Sequence, residues 1–174
     1  MPKSSKKQID EDEKKVIREL QKNSKEGIDK IAKKCGFSRQ KVWRVIKRLE
    51  KNKTIWGYYA VVDDEKLDLK SYLLLIKKTN DPLGDVADKI ISRGLTQKAN
   101  EIGVNISCSD YLHGNYDWAI CFSAAGIKQA KKFCELVNNT YQNHISETHL
   151  LERIFPVTRC GIDNPEAWKL KEFL

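Results

Sequence analysis

The chain has no apolar run near the ~20 residues that a membrane-spanning helix needs. Its longest, Tyr72–Ile76, is the size of a strand. Behind the opening Met1-Pro2-Lys3-Ser4-Ser5-Lys6-Lys7 stands no apolar stretch. A secretory signal is therefore not expected, and these residues read as a short basic arm. Cysteine comes to 5, an odd number, and no two residues form a CxxC pair. That disfavours a disulfide framework and a zinc site. It fits free thiols packed as small apolar groups in a cytoplasmic protein. Glycine never clusters into a phosphate-binding loop, so ATP or dinucleotide chemistry has no footing. Histidine is limited to 3 residues, His113, His144 and His149. The last two would face opposite sides of one strand and make a poor metal pair. No cofactor or metal is expected, and no Ser–His–Asp set stands out as catalytic.

What the chain does have is an uneven distribution of charge. Over 174 residues it is 40% hydrophobic and 32% charged, with a net charge of +8. That is enough apolar material for real cores. Residues 1–62 hold 18 Lys and Arg against 8 Asp and Glu, whereas the remaining 112 residues hold 14 against 16. A basic front half joined to a near-neutral back half suggests two jobs, with a polyanion contacted by the front one.

The order of residues in the front half sharpens this reading. Ile9, Val16, Ile17 and Leu20 make an apolar stripe across Ile9–Leu20, opened by the acids Asp10–Glu13, an arrangement that suits the helix dipole. Ile28, Ile31, Ala32 and Cys35 fall at i, i+3, i+4 and i+7 of a second helix, which Gly36 stops. Phe37 is expected to plug the core below the turn, and Ser38 to cap a third helix. That helix has Val42, Val45, Ile46 and Leu49 on one side. On the other lie Gln40, Arg44, Lys47 and Lys51, flanked by Trp43, Lys41 and Arg48. An apolar back and a cationic front on the second helix of a pair is the helix-turn-helix pattern, and such a helix fits the major groove of double-stranded DNA. A solvated face on an ordinary helix is the competing reading. After Asn52, the β-branched and aromatic run Thr54–Val62 predicts a strand or hairpin, a wing. Trp56, Tyr58 and Tyr59 could stack on bases, but packing onto the helices is favoured.

These residues resemble the Lrp/AsnC family of transcription regulators. The likeness runs through Ile9-Asp10, Val16-Ile17, Leu20, Ile31-Ala32, Gly36, Ser38, Val42, Lys47-Arg48-Leu49-Glu50, Ile55, Gly57-Tyr58 and Val61-Val62-Asp63. It departs in four places. Where Glu13 stands relatives usually carry a second acid, a mild change. Relatives commonly carry Arg where Val45 stands, with Arg44 here one residue earlier. They commonly carry Gly where Lys53 stands. Trp43 within the recognition helix is unusual. The DNA-contacting set is expected to be Ser38, Arg39, Gln40, Lys41, Trp43, Arg44, Lys47, Arg48 and Lys51. Within it Gln40, Arg44 and Lys47 read bases, while Lys41, Arg48, Lys51 and the N-terminal arm hold phosphates.

Beyond an acidic hinge over 63–70, the back half alternates. Ser71–Lys78 reads as a buried strand. A helix is expected across Leu83–Arg93, ended by Gly94. Strands Val104–Leu112 and Trp118–Ala124 flank the turn His113-Gly114-Asn115-Tyr116-Asp117. A helix over Ile127–Asn139 and a strand over Ile145–Phe155 follow. The order βαββαβ is ferredoxin-like, so the whole is α+β: a winged helix-turn-helix domain (1–62), a hinge, a ferredoxin-like dimerisation and effector domain (71–155), and a C-terminal extension (156–174). A two-residue turn at Gly114-Asn115 would set Cys108 opposite Cys121. Asn164-Pro165-Glu166 reads as a helix start, followed by the apolar Trp168, Leu170 and Phe173.

The same resemblance implies an effector pocket near His113, Gly114, Asn115, Tyr116 and Asp117, for a small metabolite such as an amino acid, although a Gly-Asn turn serves any hairpin. A sheet covered on one side by helices leaves an apolar face, which a second copy would cover. A homodimer or a multiple of dimers is expected, with two recognition helices about one DNA turn apart. Two other readings stay open. Sirohaem-type tetrapyrrole decarboxylases are similar in scaffold, and His113, His149 and Arg153 could stand in such a cleft. A non-specific DNA-coating protein would also be basic. The expected function is a sequence-specific DNA-binding transcription regulator rather than an enzyme, with no membrane partner.

Overall fold

The computed structural model describes residues 10–82 and 84–174. The N-terminal arm, Ile9 and Leu83 lie outside the described residues. The chain divides into two units. One runs to Val61 and takes in Val157–Trp168; the other is Val62–Pro156 with Lys169–Leu174.

In the first unit three helices form as their periodicity predicts: α1 (Glu11–Lys22), α2 (Ile28–Cys35) and α3 (Arg39–Lys51). They meet over Val16, Ile31, Ala32, Val42, Val45 and Leu49, with Phe37 and Ile55 packed at the edge. α2 ends because Gly36 turns left-handed at φ 69°, which lets Phe37 N–H donate to the Ala32 carbonyl at 2.9 Å. α3 ends in a similar wrap. Lys53 takes φ 62°, and the N–H groups of Thr54 and Ile55 both reach the Leu49 carbonyl. Glycine tolerates that conformation at the position where lysine stands.

The wing strand is not formed. Residues 56–62 belong to no strand, and the backbone of Trp56–Val61 makes no backbone hydrogen bond among the described residues. A strand exists only against a ladder partner, so β-propensity alone does not suffice. The expected packing of the aromatics fails with it. Trp56 is 93% exposed, and Tyr58 and Tyr59 are more than half exposed, while Ile55 alone of the run joins the core. In the same unit Thr158–Arg159 (β5) and Ile162–Asp163 (β6) pair as a small hairpin, which the sequence reading missed.

The second unit is a four-stranded antiparallel sheet of order β2-β3-β1-β4. Its strands are β1 (Lys70–Lys78), β2 (Asn105–Tyr111), β3 (Trp118–Ala124) and β4 (Ile145–Arg153). Tyr72, Leu74 and Ile76 of β1, Ile120 and Phe122 of β3, and Phe133 and Val137 of α6 (Ile127–Tyr141) fill the core under the helices. Phe122 stacks on Tyr72 at 5.4 Å and meets Phe133 at 4.6 Å between ring centroids. The expected single helix ended by Gly94 is instead two, α4 (Gly84–Ile91) and α5 (Gly94–Glu101). The left-handed residue is Arg93, at φ 57°, and Gly94 opens the second helix. Leu95 and Ala99 are buried and hold α5 to the core. Gly103 has φ +73°, and a Cβ there would stand 2.6 Å from Gln129 Nε2, so the end of α5 needs glycine. A short 3-10 turn occupies Glu65–Leu67 in the acidic hinge. The expected C-terminal helix is a 3-10 segment, Ala167–Phe173. Among the described residues, no helix is long and apolar enough to cross a membrane.

Candidate nucleic-acid interface

Helix α3 is set by contacts that use up part of its charge. Asp10 accepts from Glu13 N–H at 2.7 Å, and the Glu13 carboxylate accepts from Asp10 N–H at 3.2 Å, a reciprocal cap on α1. Glu13 is only 6% exposed. It takes the Arg48 guanidinium at 2.6 Å, with Asp10 a further 3.5 Å contact. Lys41 reaches Asp12 at 2.6 Å, and its ammonium sits 3.9 Å from the Phe37 ring centroid. The Lys41 hydrogen bond draws the Asp12 carboxyl below its usual range. Ser38 accepts from Lys41 N–H at 3.2 Å, as an N-cap does. Ser38, Lys41 and Arg48 are thus engaged within the domain.

The other expected residues come together on the outer face. Positions 40, 43, 44, 47 and 51 follow the helical repeat. Gln40, Arg44 and Lys51 are exposed and make no hydrogen bond or ion pair among the described residues. Lys47 pairs with Glu50 at 3.0 Å. Glu50 also accepts from Tyr58 Oη at 3.1 Å, and the two bonds, Lys47 first, lower its carboxyl pKa. Arg39 makes an exposed 3.4 Å contact with Asp29. Trp43 is 51% exposed on the same face. The arrangement is a ridge with two unpaired cations, one amide and an indole, able to offer hydrogen bonds and an apolar contact to base edges. The capping box, written in the sequence as Asp10-x-x-Glu13, was the signal for the tether between α1 and α3, and it was not read.

The residues expected near an effector do not form one cluster. His113, Gly114 and Asn115 are exposed. The turn is not a two-residue one: β2 and β3 last pair at Tyr111 and Trp118, and Leu112 N–H donates to the Asp117 carbonyl at 2.7 Å. Asp117 is drawn elsewhere. Its N–H donates to the Ile76 carbonyl at 2.9 Å, and its carboxylate accepts from Lys78 N–H at 2.9 Å, which ties the loop to β1. Tyr116 lies edge-on to His149 at 5.5 Å, and His149 meets Glu147 at 2.7 Å. His144 precedes β4 rather than lying on it. No group of three metal-binding side chains occurs among the described residues. The expected register holds, with Cys108 opposite Cys121. Burial, then the bond to Asp110 at 3.0 Å, pushes the Cys108 thiol up to about 12.

Residues 9–55 match the winged helix-turn-helix DNA-binding family. No curated protein matches the chain. Solved structures share the fold over most of it. The protein PH0061 superposes with a TM-score of 0.70 at 20% identity, covering 87% of this chain and 97% of its own. An AsnC family transcriptional regulator from Agrobacterium tumefaciens gives 0.65 at 18% identity, covering 87% and 94%. The transcriptional regulator NMB0573 from Neisseria meningitidis, solved as a complex with L-Met, gives 0.66 at 14% identity, covering 96% and 100%. The chain is therefore a helix-turn-helix protein with a ferredoxin-like second unit. Its fold is that of the AsnC and Lrp regulators.

Proposed function

We propose that this protein is a sequence-specific DNA-binding transcription regulator that works as a homodimer or a multiple of dimers and responds to a small metabolite. The observation that carries the reading is the outer face of α3, where Gln40, Arg44 and Lys51 are exposed without partners among the described residues, beside Trp43 and Lys47. Unpaired Arg and Gln on the second helix of a helix-turn-helix are the groups that address guanine and adenine edges. Lys41 and Arg48, tied to α1, serve to hold that helix in place. Pairing of two copies would supply the second recognition helix that a palindromic site requires. An amino-acid effector is supported by analogy with the L-Met complex of the Neisseria regulator. Two solved structures of this fold are described as transcriptional regulators, which favours the regulator over the decarboxylase.

The test is recovery of fragmented DNA from the source genome at about 150 mM salt, where non-specific binding is weakened. A few palindromic sites are expected. Affinity for them should fall roughly 10³–10⁵-fold between 50 and 200 mM salt if 6–10 phosphates are contacted. Uniform recovery of all fragments would instead identify a coating protein. Absence of recovery would remove the DNA reading.

A further inference from the structure

Between α4, the start of β3 and the end of α6 lies a cavity of about 180 Å³. It belongs wholly to the second unit and is separate from the face of α3. Its walls are mostly apolar, with Ile76, Val86, Ile90 and Trp118 among them. Lys78, Ser109, Tyr111, Asp117, Tyr141 and His144 also reach its wall. Tyr141 is buried, with its ring edge-on to Trp118 at 5.3 Å between centroids. His144 also lines the cavity, and its Nδ1 is buried without a partner among the described residues. Nearby, Trp118 Nε1 donates to Ser109 Oγ at 2.8 Å, so the Ser109 hydroxyl proton remains to be given.

Packed interiors pair nearly all their buried polar atoms. An unpaired imidazole nitrogen on the wall of a cavity therefore asks for a partner inside it. An apolar cavity of about 150 Å³ is large enough to take benzene, so this one has room for a single ring with a small substituent. A charged group is disfavoured, because most of the wall is apolar and does not repay its desolvation, and the Asp117 carboxylate already accepts from Lys78 N–H. We propose that this cavity binds a small uncharged aromatic molecule carrying one hydroxyl or ring N–H, which bonds to His144 Nδ1 while the ring packs against Trp118. The inference does not depend on the DNA reading.

The test uses the full chain with phenol, indole, toluene and leucine as probes. Binding is followed through the Trp118 indole N–H resonance, which reports from the cavity wall. Phenol and indole should shift that resonance saturably, with about a tenfold preference for phenol over toluene, the worth of one net hydrogen bond. His144→Phe should remove the preference and keep ring binding. Val86→Phe, which fills the cavity, should abolish binding while the remaining resonances stay dispersed. Ile90→Phe gives a second filling variant should the first fail to fold. Equal binding of toluene and phenol would overturn the polar recognition. Tighter binding of leucine would overturn the uncharged class. A resonance unmoved by every probe would overturn the site.

Discussion

Arg44 and Arg48 stand one helical turn apart on α3, yet they should fail in opposite ways. Arg48 is bound at 2.6 Å to a carboxylate that is nearly buried, although its own side chain is 55% exposed. Exposed pairs are worth about 0–1 kcal/mol, and breaking a buried pair costs about 3–5 kcal/mol. A pair with one buried and one exposed partner falls between, so Arg48→Ala should cost about 1–2 kcal/mol of stability. At an m-value of about 1 kcal/mol/M, the urea midpoint of the first unit drops by roughly 1–2 M. Arg44 makes no hydrogen bond or ion pair among the described residues, so Arg44→Ala should leave stability within about 0.5 kcal/mol. It should instead weaken the recovered operator by about 1–3 kcal/mol, or roughly 5–150-fold, and relax preference at one base position. Urea denaturation and fluorescence anisotropy on the same preparations separate the two effects. The reasoning is refuted if Arg48→Ala keeps its midpoint while losing as much operator affinity as Arg44→Ala. It is also refuted if Arg44→Ala weakens all DNA equally, since the side chain would then be a phosphate contact.

Three further outcomes follow from backbone and thiol geometry. Lys53→Gly should raise stability by about 0.5–1 kcal/mol, read as a higher urea midpoint, because it relieves a left-handed side-chain residue at φ 62°. Gly103→Ala should lower stability by about 1–3 kcal/mol, as the added Cβ meets Gln129 Nε2 at 2.6 Å in a backbone at φ +73°; an unchanged melting temperature would mean that Gln129 yields freely. With its pKa at about 12, Cys108 should alkylate slowly at pH 8, after the exposed Cys160, and speed up only as pH rises toward 12, because the raised value keeps it a neutral thiol below that range. Iodoacetamide labelling with mass mapping at pH 8 and pH 10 measures the order.

The parts legible in the sequence were those fixed by local periodicity and caps. Ile28, Ile31, Ala32 and Cys35 announced α2, and Gly36 announced its end, because both signals sit within one stretch of chain. The pairing of Cys108 with Cys121 was legible too, since antiparallel register follows from where a turn is centred, even when that turn is wider than expected. The break at Arg93 was not legible. A left-handed arginine has no sequence signature, and the adjacent Gly94 drew the helix end two residues late. The wing failed for a different reason. Its composition favours a strand, but a strand is a property of two segments, and the described residues supply no partner. In the candidate interface, the helical wheel placed the cationic face correctly. It could not separate the cations that face outward from those that Asp12 and Glu13 hold, because that depends on how α1 packs across α3. The cavity was out of reach for the same reason: Tyr141 and His144 meet Trp118 only through the packing of α6 on the sheet.

The open side of the sheet bears on how such a protein would grip DNA. Tyr72, Leu74 and Ile76 are buried under the helices, so Leu73 and Leu75 must point the other way. In register, Leu73 lies between Cys121 and Leu151. All three are only partly covered within one chain or left exposed. That central apolar strip, on the proposed dimer reading, is where the second copy packs. Leu73→Glu would put a carboxylate there, against the proposed partner, without entering the core beneath the helices. The expected result is a folded monomer by sedimentation equilibrium, with operator affinity lower by about 10²–10⁴-fold, the usual contribution of a second linked contact. The isolated recognition surface would be untouched, so residual non-specific binding at low salt should persist. A Leu73→Glu protein that remains dimeric would place the pairing surface elsewhere. A monomeric one that keeps its operator affinity would show that DNA binding does not require two helices held together.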